Sequence, residues 1–298
     1  MRAGASFLLS QEEVCMSFFV QSDAKINISL RITGKRPDGY HELRSVFLRL
    51  SALESLTITP QYDHNVRNSL SVHGETVQGK NILDEVLARA GQTMDLPPLH
   101  ISLVKNIPPG SGLGGGSGNA AALLSWLNRM GGRNSLLPEE FGSDVPFLFS
   151  DALWASVSGR GEIITPVASP PETPVVLVAV PSWKMSTQTA FSLIDEARGG
   201  RFPLNGGEAE RERDDLLDGL REQRHVGLLP NDFLPVLLNL YPRYSELFSA
   251  FSDYGAAGWG ITGSGSACFG LFYKKNGLGS FLRDMTRYDW IRKIFCLE

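Results

Sequence analysis

The chain has little that would mark it as secreted, fibrous or membrane-spanning. Its three cysteines, Cys15, Cys268 and Cys296, form neither a metal-ligand spacing nor an even disulfide set, so a reducing compartment and buried thiols are expected. No apolar run approaches the length of a membrane span. Met1 to Ser10 holds a short apolar run behind one positive charge. Gln11-Glu12-Glu13 then stands where a cleavage site belongs, which argues against a signal peptide and for a cytoplasmic protein. An excess of charge is also missing: 28 Lys and Arg against 32 Asp and Glu leave a net charge of −4. Neither nucleic acid nor an anionic membrane is therefore an expected partner, and an anionic ligand would have to be held by local donors. No internal repeat or low-complexity tract is evident.

What the chain does have is glycine, concentrated in Pro108-Pro-Gly-Ser-Gly-Leu-Gly-Gly-Gly-Ser-Gly-Asn-Ala-Ala-Ala122. Consecutive glycines admit positive φ and leave backbone N–H groups as the lining of the loop, a surface suited to oxyanions. Asn119 to Met130 then reads as a helix stopping at Gly131-Gly132, so the loop feeds a helix N-terminus with its unpaired donors and positive dipole end. Gly110-x-Gly112-x-x-Gly115 satisfies the dinucleotide fingerprint, but Ile107-Pro108-Pro109 separates it from any strand. A Walker A loop is excluded, because no lysine occurs between Asn106 and Arg129. A plain surface linker would be polar throughout and would not end in an Ala/Leu/Trp helix.

Elsewhere, Ala24 to Ile32 alternates strictly and predicts a half-buried strand with Lys25 and Asn27 on its polar face. Pro37-Asp38-Gly39 is turn chemistry that presents Tyr40 and His41 before a second strand, Glu42 to Leu50. Further strands are expected at Leu56 to Thr59, Ser69 to Val72 and His100 to Val104, with Asn81 capping a helix over Ile82 to Ala90. Gly142-Ser143-Asp144-Val145-Pro146 is a tight turn, in which an aspartate is ordinarily an Asx turn or helix cap. Each of these polar residues has a plain structural explanation when taken alone.

Ser169 to Pro174 is the best candidate domain boundary, followed by a buried strand, Val175 to Val180, and a helix opened by Ser186-Thr187. Ala197 to Asp215, with two Gly-Gly pairs and a dense Glu/Arg run, reads as a mobile solvated loop. Helical material at Leu216 to Leu220 and Phe233 to Phe251 precedes a second glycine-rich turn, Gly258 to Gly270. Strands come first and no regular βαβ rhythm follows, which favours α+β. A phosphate cradle without a P-loop lysine, a strand lysine beside an asparagine and an aspartate in a turn together suit phosphoryl transfer.

At these residues the chain resembles the superfamily of galacto-, homoserine, mevalonate and phosphomevalonate kinases, the GHMP kinases. The pieces are Ala24-Lys25-Ile26-Asn27, Arg36 to His41, Pro109 to Ala122, Gly142 to Phe147, Gly159 to Glu162, Asn231-Asp232 and Thr262 to Ser266, in the superfamily's order. The loop carries the superfamily resemblance. The Lys-x-Asn strand followed by Asp-Gly-Tyr-His resembles one branch, whose substrate carries a cytidine diphosphate.

The resemblance implies a two-domain α+β fold, with an ATP-binding catalytic domain over 1–169 and a substrate-completing domain over 170–298. Residues 1–16 would be an extension of unassigned role, with Met16 as an alternative start. ATP would lie on Pro108, Pro109, Gly110, Ser111, Gly112, Leu113, Gly114, Gly115, Gly116, Ser117 and Gly118, with Ser117 also facing Mg²⁺. Lys25 and Asp144 would be the catalytic pair. Asn27, Tyr40, His41, Phe191, Thr262, Gly263 and Ser264 would contact a small-molecule substrate with a cytidine diphosphate moiety. Two departures stand out: position 118 is Gly where Ser is common, and the connection from the loop helix to Gly142 lacks most of a helix. Other GHMP-type kinases, acting on mevalonate or homoserine, share the loop and the pair. A nucleotide-binding regulator without turnover would need neither Lys25 nor Asp144.

Overall fold

The computed structural model describes residues 16–298 apart from 63–64, 131–135 and 275–276. The expected N-terminal extension, the helix stop at Gly131-Gly132 and Cys15 lie outside the described residues. Strands β1 (Phe18–Lys35) and β2 (His41–Pro60) form a long antiparallel hairpin. Its turn is closed by the Arg36 N–H donating to the Tyr40 carbonyl at 2.7 Å and the Tyr40 N–H donating to Asp38 Oδ1 at 3.1 Å. The two separate strands expected between Glu42 and Thr59 are one. Ala52, at φ 57°, kinks it opposite a register shift at Asp23, whose carboxylate accepts the Ala52 N–H and an Arg49 N–H.

Beyond the kink β2 pairs with β4 (Leu99–Lys105), which pairs in parallel with β3 (Ser69–Gly74). Before it, β2 pairs with β5 (Trp154–Gly159), and β5 with β6 (Ile163–Pro166). Three helices pack on this sheet: α1 (Ile82–Thr93), α2 (Gly115–Met130) and the short α3 (Val145–Phe149). The α1 start follows the sequence signal closely, with an Asn81/Asp84 capping box.

A second sheet runs in the order β11 (Ile291–Leu297), β7 (Val175–Pro181), β10 (Cys268–Phe272), β9 (Gly258–Ile261) and β8 (Gly227–Leu228). Its outer face buries α4 (Thr187–Arg198), α6 (Leu234–Leu240), α7 (Tyr244–Asp253) and α8 (Leu278–Met285). The helical stretch expected from Phe233 to Phe251 is divided at Pro242, which cannot continue the hydrogen-bond ladder. Ala24, Ile26 and Ile28 of β1 meet Val176, Val178 and Phe269 in a core shared by the two sheets.

The solvated loop expected from Ala197 to Asp215 is a correction. Gly206–Arg221 is a helix, α5, opened by an Asn205/Glu208 capping box. Glutamate and arginine are good helix formers, and here they also find partners: Glu212 takes a two-pronged ion pair from Arg31 of β1 at 2.6 and 2.7 Å. Charge density alone did not distinguish a solvated run from a docked helix. The thiols differ too: Cys268 is buried, its titration pushed up by burial, whereas Cys296 is exposed.

Candidate active site

Both faces of β1 are covered around Lys25. Lys25, Asn27 and Ser29 are no more than 5 % exposed, so the polar face that the alternation marks is roofed rather than solvated. The roof is the glycine loop and the start of α2. The Lys25 N–H donates to the Leu113 carbonyl at 2.9 Å, fixing strand to loop. The helix begins at Gly115, earlier than the Asn119 start read from the sequence, so Gly115, Gly116 and Ser117 form its first turn. Their N–H groups have no partner within the helix, all three residues line the cleft, and the first turn holds no acidic side chain.

The loop is clasped from the second sheet. Its Ser111 carbonyl accepts the Ala267 N–H at 2.8 Å, and its Gly112 carbonyl accepts the Thr262 hydroxyl at 3.3 Å. Gly112 has φ +81°, and a Cβ there would stand 2.3 Å from the Thr262 carbonyl. At Gly118 a Cβ would stand 1.8 Å from the Asp23 carbonyl, so the absent serine is matched by a close backbone approach.

Inside the cleft, Lys25 Nζ donates to Asn27 Oδ1 at 2.8 Å and stands 3.3 Å from Asp144 Oδ2, over the Phe47 ring. Asn27 donates to Ser45 Oγ at 3.0 Å, and Ser45 donates to the Ser29 carbonyl, so the lysine's partner is itself held in one orientation. Asp144 occupies the N-cap position of α3, yet its side chain caps nothing. It faces Lys25 with 26 % of the side chain open. The ordinary explanation of an aspartate in such a turn is thereby removed.

The cleft, about 1200 Å³, brings Lys25, Asn27, Tyr40, His41, Asp144, Phe191, Gly263 and Ser264 onto one surface with Pro108 to Gly112 and Gly114 to Ser117. Leu113, Gly118 and Thr262 are not on it. Leu113 and Thr262 are wholly buried, and the Thr262 hydroxyl accepts the Asn27 N–H at 3.0 Å and lies 3.2 Å from Asn27 Oδ1, an alternative acceptor to the Gly112 carbonyl for its one proton. Thr262 therefore stands behind Asn27, off the cleft surface. Phe191 lines the cleft, but it stacks on the His41 imidazole, centroids 4.5 Å apart, so one of its faces is already covered. Tyr40 is 55 % exposed, with the Arg160 guanidinium 4.8 Å from its ring centre.

Sequence reasoning missed a buried ion pair beneath the loop. Lys105 Nζ lies 2.7 and 2.8 Å from the Glu54 carboxylate oxygens, and Glu54 Oε1 also accepts the Ile107 N–H at 2.7 Å. Burial holds the Lys105 ammonium below the usual lysine range, and Glu54 offsets only part of that. The signal was present: Lys105 continues the core-facing phase of Ile101 and Leu103, and Glu54 that of Leu56 and Ile58. A charge on a buried strand face requires a partner. Asp195 was missed as well, although it lies one helical turn after Phe191 on α4.

A glycine-led helix N-terminus facing a lysine–carboxylate pair, on a two-sheet α+β frame, defines a phosphotransferase of the small-molecule kinase type. The GHMP kinases N terminal domain matches residues 79–141 and the GHMP kinases C terminal domain residues 211–288. A 4-diphosphocytidyl-2-C-methyl-D-erythritol kinase of Nitratidesulfovibrio vulgaris strain DP4 is 33 % identical over 282 residues, covering 91 % of this chain and 95 % of that one. Among solved structures, a 4-(cytidine 5'-diphospho)-2C-methyl-D-erythritol kinase superposes with a TM-score of 0.74 at 25 % identity, covering 95 % of this chain and 98 % of that one. A homoserine kinase from Cytophaga hutchinsonii shares the fold, with a TM-score of 0.68 at 16 % identity over 99 % and 97 % of the chains. The chain belongs to the GHMP kinases and, among them, to the 4-diphosphocytidyl-2-C-methyl-D-erythritol kinase family. No helix among the described residues is long and apolar enough to cross a membrane.

Proposed function

We propose that the chain transfers the γ-phosphoryl group of ATP to the 2-hydroxyl of 4-diphosphocytidyl-2-C-methyl-D-erythritol, a step toward isoprenoid precursors outside the mevalonate route. One observation carries the reading: the Asp144 carboxylate, free of capping duty and open to the cleft, lies 3.3 Å from a buried lysine beside the unpaired donors of α2. Asp144 takes the proton of the attacking hydroxyl. The Lys25 ammonium stands against that carboxylate, and Asn27 holds Lys25 in place. The N–H groups of Gly115, Gly116 and Ser117 meet the charge that builds on the phosphoryl oxygens.

Among the described residues no cluster of three or more His, Cys, Asp or Glu exists to cage a metal. This donor set fits a magnesium ion carried by the nucleotide's own oxygens and by water, with the Ser117 hydroxyl as the residue that would hold it. Such an ion would neutralise phosphate charge. The Tyr40 and Phe191 rings and the His41 edge give the cytosine its site. The buried Cys268 thiol and two anionic nucleotide substrates suit a cytoplasmic enzyme.

A coupled ADP-release assay on the cytidylated substrate, mevalonate and homoserine tests this reading. Turnover with the first alone is expected. Faster turnover of mevalonate or homoserine, or ATP binding with no turnover on any of the three, would contradict it.

A further inference from the structure

His41 is the first residue of β2 and lines the cleft, but its imidazole is held from behind. Nε2 lies 2.7 Å from Asp195 Oδ1 on α4. The second carboxylate oxygen, Oδ2, takes the Lys35 ammonium at 2.6 Å. Lys35 and His41 are the cross-strand partners next to the β1–β2 turn, so one aspartate clips both strands. Phe191, one turn earlier on α4, lies flat on the imidazole at an interplanar angle of 14°. The ring is only 7 % exposed, and among the described residues Nδ1 has no hydrogen-bond partner. Burial raises the Asp195 carboxyl, but hydrogen bonds from Lys35 and His41 outweigh it and hold it below its ordinary value.

A carboxylate can only accept, so Nε2 must carry the proton facing it. In the neutral imidazole the other nitrogen, Nδ1, is then an acceptor. Cytosine and uracil differ at one edge: cytosine offers an amino donor where uracil offers a carbonyl acceptor. An acceptor at Nδ1 pairs with the first and faces a lone pair of the second.

We propose that Asp195 is a positioning residue for base recognition: by fixing the His41 tautomer and ring plane, it makes the cleft select a cytosine amino group over a uracil carbonyl. This rests on the reading that the cleft receives the cytidine end of the substrate.

Two measurements test it on the full chain. Ring ¹⁵N–¹H correlation spectra of the wild-type protein should show His41 with a pyrrole-like Nε2 and a pyridine-like Nδ1. Protonation at Nδ1, alone or together with Nε2, would overturn the proposal without any variant being needed. Second, kcat/KM is compared for the cytidylated substrate and its uridylated analogue in wild type, Asp195→Asn and Asp195→Glu. An asparagine can donate as well as accept, so it releases the tautomer. Asp195→Asn should narrow the discrimination by about ten- to a hundredfold, the effect of leaving one buried polar group mispaired, and Asp195→Glu should restore part of it. An equal loss on both substrates with discrimination intact would make Asp195 a structural clip and overturn the proposal. Failure of the parent reading looks different, because wild type itself would then not turn over the cytidylated substrate, and the base-selection claim would fall with it.

Discussion

Glu54 and Lys105 place opposite charges under the glycine loop with almost no water: their side chains are 0 % and 5 % exposed. Removing one partner from such a pair leaves the other as an uncompensated buried charge. Glu54→Gln should therefore destabilise the fold by about 3–5 kcal/mol, with Lys105 left to lose its proton or drag water inward. Ile107 would also exchange a charged acceptor for a neutral one. Chemical denaturation of the variant measures this directly, and a change under about 0.5 kcal/mol, the level of an ordinary surface substitution, would contradict it. Lys25 differs from Lys105 in one respect that matters for chemistry. Its carboxylate partner, Asp144, is open to the cleft, whereas the Glu54 carboxylate is wholly buried.

The glycine loop and the Thr262 turn are two elements whose backbones touch. Gly112→Ala adds a Cβ 2.3 Å from the Thr262 carbonyl at φ +81°, and should cost about 1–3 kcal/mol through strain and displacement of the clasp. Gly116→Ala, where a Cβ meets nothing within 4 Å, should leave the midpoint of unfolding within about 0.5 kcal/mol of wild type. Equal melting temperatures for the two variants would contradict the close approach. At this scale much was legible in the sequence. The Lys25/Asn27 face, the loop with its helix, the Asn81 cap and the Asp144 turn each follow from local spacing. What was not legible depends on contacts distant in sequence. The joining of the two strands through Ala52 rests on Asp23, the order of α5 on Arg31, and the burial of Thr262 on Asn27. Local patterns do not encode these partners.

For the molecule as a whole, the shared core of Ala24, Ile26, Ile28, Val176, Val178 and Phe269 ties the two sheets together, and α5 returns from the second half to dock on β1. Residues 1–169 and 170–298, which we propose as the two domains, should accordingly unfold in one cooperative transition and fail to fold when expressed apart. Two separated transitions in calorimetry would contradict that. The whole arrangement converges on the cleft: one half brings Lys25, Asp144 and the loop, and the other brings α4 and the Gly263–Ser264 turn. There, in the role we propose, Asp144 accepts the proton of the hydroxyl being phosphorylated. The most direct test is the steady-state kinetics of Asp144→Asn on the cytidylated substrate, with ATP affinity measured alongside. The account predicts a kcat lower by about 10²–10⁴-fold with ATP affinity nearly unchanged. An Asp144→Asn enzyme that turns over at close to the wild-type rate would contradict it.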